Sequence, residues 1–167
     1  MRVATILDSI DAGSMALPEF QRGYVWNRDQ VRGLMQSLYR KYPVGGLLVW
    51  QTAADGATTR GAGELAPGVV KLLLDGQQRV TSLYGIIRGR PPRFFDGNAQ
   101  AFTNLYFHLD EEVFEFLAPL KMQGDPRWID VSGLFRTGLA SALQQVIGNP
   151  ALQAAAVRVN DYETGQS

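Results

Sequence analysis

Lys71-Leu72-Leu73-Leu74-Asp75-Gly76-Gln77-Gln78-Arg79-Val80-Thr81-Ser82-Leu83 runs from a short apolar stretch through an Asp-Gly turn into a helical pattern. The apolar run predicts a buried strand over Val69–Leu74, and Val80, Leu83, Tyr84 and Ile87 recur at the spacing of a helix over Gln77–Arg88. Gly89, Pro91 and Pro92 end that helix. A strand that delivers polar groups to a helix N-terminus builds an anion site, because the first N–H groups there lack helical partners and the dipole favours negative charge. Arg79 adds a planar fork suited to phosphate, and Asp75 adds a carboxylate able to hold a metal ion or orient a water. Judged on local pattern alone, a plain solvated helix start is the stronger reading.

A second segment shifts the balance. Leu17-Pro18-Glu19-Phe20-Gln21-Arg22-Gly23-Tyr24-Val25-Trp26 carries another Gln-Arg pair among large apolar residues. Charged groups so flanked must find a partner or reach a cleft. Tyr24 and Trp26 read first as core aromatics. Asn27 and Gln30 have capping-box spacing, and Val31, Leu34, Met35, Leu38 and Tyr42 continue a helix over 28–41 that stops at Pro43. Leu47-Leu48-Val49-Trp50 predicts a buried strand near 46–51.

The blocks PEFQRGYVWNRDQV, SLYRKYPVGGLLVW and LLLDGQQRVTSLYG, followed by RWIDVSGLF, resemble the N-terminal domain of GmrSD-type, modification-dependent restriction endonucleases. That domain belongs to the ParB/sulfiredoxin-like group, and the resemblance covers roughly residues 1–140. It implies nucleotide binding and hydrolysis that gate cleavage of modified foreign DNA. The family's first motif falls on Phe20, Gln21 and Arg22, and its second on Asp75, Gly76, Gln77, Gln78 and Arg79. The His- and Asn-containing nuclease half of full-length members is not among these residues, and His108 is the single histidine.

With 167 residues, 46% hydrophobic and 19% charged, the chain suits one domain with a sizeable core. Pattern alone predicts α+β architecture, with the ParB-like topology implied by the resemblance. The expected division is a domain over 1–140 and a helical extension over 141–167, either the start of a following region or of a truncated one. There is no cysteine, hence no disulfide framework or thiolate zinc site, and neither haem nor flavin is expected. The amphipathic start is no signal peptide and no apolar run reaches the length of a membrane span, so a cytoplasmic location and no membrane partner are expected. Net charge is zero, but residues 1–93 hold 12 Lys/Arg against 7 Asp/Glu, and the remainder 4 against 9. Both motifs lie in the basic half, which permits a phosphate ligand.

Further along, residues 3–12 read as a helix, Met15 to Leu17 as a strand, and Thr52 to Gly68 as a loop of the kind that covers ligands. Leu105–Leu109 and Val113–Leu117 predict a hairpin, with His108 on its polar side and Asp110-Glu111-Glu112 as a solvated turn. Trp128–Val131 predicts a strand followed by an N-cap at Ser132, and Leu139–Ile147 and Ala151–Val157 predict helices.

The leading expectation is a domain that binds and hydrolyses a nucleoside triphosphate with Mg²⁺. Asp75, Arg79 and Arg22 would carry the chemistry, with Asp75 the metal ligand. Gln21, Arg22, Gly76, Gln77, Gln78 and Arg79 would bind the nucleotide. DNA would be engaged directly or through a nuclease domain or partner. The alternative is a non-catalytic DNA-binding or modification-sensing module using Arg28, Arg32, Arg40 and Lys41 on phosphates and Tyr24 or Trp26 for stacking. A third reading is a scaffold that docks a nuclease. Oligomeric state is open.

Overall fold

The computed structural model describes residues 2–61 and 65–138. In chain order these form α1 (Val3–Asp11), β1 (Met15–Ala16), α2 (Arg28–Tyr39), β2 (Leu48–Ala53), β3 (Val69–Asp75) and α3 (Gln77–Arg88). They continue as β4 (Leu105–His108), β5 (Val113–Phe116), α4 (Pro119–Met122), β6 (Trp128–Asp130) and α5 (Val131–Thr137). The class is α+β, with two small sheets. One has the order β1-β3-β2, with β1 parallel and β2 antiparallel to β3; the other is an antiparallel β5-β4-β6 sheet.

The apolar run of β3 fits its central place, since a middle strand is covered on both faces. Leu73 packs on one face with Ile6, Met15, Leu17, Val80 and Phe94. Val70 and Leu72 pack on the other with Ala16, and Ala54, Ala57 and Leu65 add partial cover. A larger core lies under the second sheet and joins Val31, Met35, Ile86, Phe102, Phe107, Phe114, Ile129 and Leu134. Helix α3 supplies Val80 to the first core and Ile86 to the second, and so couples the two halves. Gly85 lets it approach, since a Cβ there would lie 2.3 Å from the Phe102 ring. The Asn27–Gln30 capping box forms with both arms at 3.0 Å, and Gly89 ends α3 in the left-handed conformation.

Several expectations need correction. The Leu47–Trp50 strand is an edge strand, with Leu48 58% and Trp50 55% exposed, because among the described residues β2 pairs only with β3. The loop expected from Thr52 begins as the end of β2 and a 3-10 turn at Ala54–Gly56, and Thr59 bridges Pro18. His108 is buried, not on a polar side. Its Nδ1 accepts the Glu111 N–H, and Trp128 of the adjacent strand meets its ring edge-on. Glu112 accepts a hydrogen bond from the Tyr39 hydroxyl, so the acidic turn is only partly solvated. Asp130, not Ser132, holds the N-cap position of α5. The helices expected over 139–157, and the extension from 141, lie outside the described residues. Among the described residues no helix is long and apolar enough to cross a membrane.

Asp11 ties α1 to α3 through the Tyr84 hydroxyl and the Arg88 guanidinium. Burial pulls its pKa upward, but these hydrogen bonds outweigh burial and hold it below its ordinary value. The link therefore contributes stability above the unfolded-chain pKa, and that contribution fades as pH falls through the lower folded value. Asp11→Asn is expected to flatten part of the acid limb of a stability-versus-pH curve. Leu73→Ala, at a side chain 1% exposed, is expected to cost about 2–5 kcal/mol in urea unfolding through the cavity it opens.

Candidate functional site

The two motif segments meet at the C-terminal end of β3. After β1 the chain crosses the start of α3, and three carboxamides tie it there. Gln21 Nε2 donates to the Leu74 carbonyl at 2.9 Å. Gln77 Nε2 donates to the Arg22 carbonyl at 3.1 Å, and Gln78 Nε2 to the Gly23 carbonyl at 3.2 Å. Gln78 Oε1 in turn accepts the N–H groups of Val25 and Trp26 at 2.9 and 3.2 Å. Gln77 and Gln78 are buried, so their amides serve as the backbone partners that this irregular segment lacks in itself. Arg60 donates to the Gln21 carbonyl, and Tyr24 N–H bonds the Asp96 carbonyl at 2.6 Å.

Gly76 is the turn. It has φ +94° at the N-cap of α3, and a Cβ there would lie 2.3 Å from Leu47 Cδ2. The left-handed geometry and the close approach both require glycine. Among the described residues no side chain caps α3, and its first turn opens on a cavity of about 260 Å³ lined by Gln21, Arg22, Trp26, Leu74 and Asp75 to Arg79.

The charged groups divide into engaged and available. Arg79 donates from its two terminal nitrogens to the Val44 and Gly46 carbonyls at 2.8 and 2.7 Å, bracketing the loop between α2 and β2. The fork expected to face phosphate is thus committed largely to backbone, although the side chain also lines the cavity. Arg22 and Asp75 are exposed, and neither side chain has a hydrogen-bond or ion-pair partner among the described residues.

Of the residues considered for DNA, Tyr24, Arg28 and Arg32 are engaged elsewhere, and Trp26 lines this cavity. Tyr24 is buried against Phe95 and Phe102, with its hydroxyl on Ser82, so its ring is not available for base stacking. Burial raises its pKa, and the Ser82 bond offsets only part of that. Arg28 donates to the Gln100 carbonyl and lies over the Phe116 ring, while Arg32 pairs with Asp29 and Glu115. Trp26 is half-buried at the cavity wall. Arg60 is a support that no motif marks, and Gln77 and Gln78, expected to bind the nucleotide, both line the cavity and hold the backbone of the crossing segment. Their place in the first turn beside an apolar run is the signal that could have marked them as buried.

Among the described residues no group of three or more His, Asp or Glu could hold a metal ion. Asp75 is the carboxylate lining the cavity among the described residues.

The sequence model of the GmrSD restriction endonuclease N-terminal domain matches residues 3–146, and the chain belongs to this family. An uncharacterized protein of Methanocaldococcus jannaschii is 38% identical over 82 residues. The match covers 43% of this chain and 14% of that relative, so the chain spans a small part of the relative's length.

Gln78→Leu strands two N–H groups and a carbonyl, and is expected to destabilise the fold by about 2–4 kcal/mol. Arg22→Ala, at an exposed and unpartnered side chain, is expected to stay within roughly 0.5 kcal/mol. Paired urea titrations check the contrast, and equal effects would show that the amides do not hold the segment.

Proposed function

We propose that this domain binds a nucleoside triphosphate, with its phosphates at the start of α3, and acts as the regulatory part of a DNA-restriction system. The observation that carries the reading is the unpartnered Arg22 guanidinium beside an uncapped helix N-terminus in one cavity. That pairing gives a negative ligand both a dipole and a mobile cation. The family membership fits the same reading.

The roles follow from what each group has left to offer. The first-turn N–H groups of α3 take phosphate oxygens, and Arg22 pairs with them from the opposing segment. Arg79 holds the Val44–Gly46 loop and adds positive charge at the cavity wall. Gln21, Gln77 and Gln78 position the Arg22 segment instead of reading the base. Asp75 would hold Mg²⁺ or orient the attacking water, and such an ion would supply charge neutralisation to the phosphates. Hydrolysis in this chain and its coupling to a nuclease domain or partner acting on modified DNA are parts of the same proposal. The DNA-sensing alternative has fewer groups to draw on, because Arg28 and Arg32 are engaged and Tyr24 is buried.

Calorimetric titration with each of the four nucleoside triphosphates, with and without Mg²⁺, tests this. Saturation near one equivalent is expected, with Arg22→Ala weakening binding more than about tenfold, the scale of one charge-assisted pair, and Asp75→Ala removing the Mg²⁺ dependence. No binding under any metal condition, with DNA bound on a steep salt slope, would replace this reading with the DNA-sensing one.

A further inference from the structure

A second cavity, of about 420 Å³, lies on the β1-β3-β2 sheet. Leu72 of β3 lines it. Trp50 lines it from β2, where it is the cross-strand partner of Leu72, and Phe20 lines it from the segment that follows β1. The strand order therefore brings the two aromatics in from either side of β3. Both are unusually exposed for their type, Phe20 at 76% and Trp50 at 55%. Aromatic side chains of this size usually bury most of their surface. Two left in water around one concavity form a surface suited to a flat ring.

The position of the cavity says which ring. The β2–β3 register shifts between Leu48 and Val49, so Asp75 rather than Leu74 pairs with Leu48, two residues from Trp50 on β2. Leu74 lines the phosphate cavity and Leu72 the aromatic one. Phe20 directly precedes Gln21 and Arg22, which line the phosphate cavity. A ligand with an anionic chain at the α3 N-terminus and a planar group against Phe20 spans both.

We infer that the cavity formed by Phe20, Trp50 and Leu72 is the nucleobase and ribose subsite of the nucleotide whose phosphates meet Arg22 and α3. This rests on the phosphate reading above and adds a base-binding half to it. Stacking on aromatic faces tolerates any base, since each has a π-face. Glu19, Thr52 and Thr58 on the same lining are the polar groups able to meet ribose hydroxyls and base edges.

The test compares inorganic tripolyphosphate with the four nucleoside triphosphates by calorimetry on the whole chain. In the unaltered protein the nucleotides are expected to bind about tenfold or more tightly than tripolyphosphate, the scale of one stacked base. Trp50→Ala and Phe20→Ala are expected to collapse that ratio towards one, and Trp50→Phe to restore most of it. Thermal melts confirm that these exposed substitutions leave the fold intact. A ratio near one in the unaltered protein, or one unmoved by both alanine variants, overturns the base subsite while the phosphate site stands. Failure of both tripolyphosphate and every nucleotide to bind overturns the phosphate reading, and this subsite with it.

Discussion

The carboxamide of Gln78 bonds the Gly23 carbonyl and the N–H groups of Val25 and Trp26, and the candidate site depends on that junction. The segment from Pro18 to Trp26 belongs to neither helix nor sheet, so its backbone polar groups need partners from elsewhere. A buried amide presents a donor and an acceptor together, which suits a chain that turns past it. A carboxylate could not donate, and an apolar side chain would leave both sides unsatisfied. Gln77 and Gln21 extend the same device on either side. Arg22 is thereby placed over the end of β3 without being used as a tie itself.

This junction can be rigid because α3 is. The helix reaches into both apolar cores, through Val80 on one side and Ile86 on the other, and Gly85 admits the Phe102 ring against its backbone. At its N-terminus Gly76 takes a left-handed turn tight against Leu47, and Arg79 draws the Val44–Gly46 loop onto the same point. Three separate segments therefore converge on one helix end. Each is anchored by a group that a free helix start would leave in solvent.

What remains unengaged after that convergence is small: Arg22, Asp75 and the uncapped first turn of α3. A carboxylate and a guanidinium lining one cavity at a helix N-terminus suit a ligand that brings its own charge. Residues of β3 line both this cavity and the aromatic one.

Much of this was legible in the residues. The strand–turn–helix of Val69–Arg88, the Asn27–Gln30 capping box and the Leu105–Phe116 hairpin follow from periodicity, caps and turn residues, all local effects. The approach of Gln21-Arg22 to Asp75–Arg79 was also foreseeable, because polar groups set beside buried runs must satisfy one another. The roles within the site were decided only in three dimensions. Whether an amide faces a ligand or a passing backbone depends on which segment crosses it, and no spacing encodes that. Arg79 looked like a phosphate fork until the loop at Val44–Gly46 was seen to occupy it. Likewise Leu48 and Trp50 read as interior residues because apolarity marks a strand without saying whether a neighbour covers it, and the outer place of β2 in the sheet is what leaves Trp50 exposed.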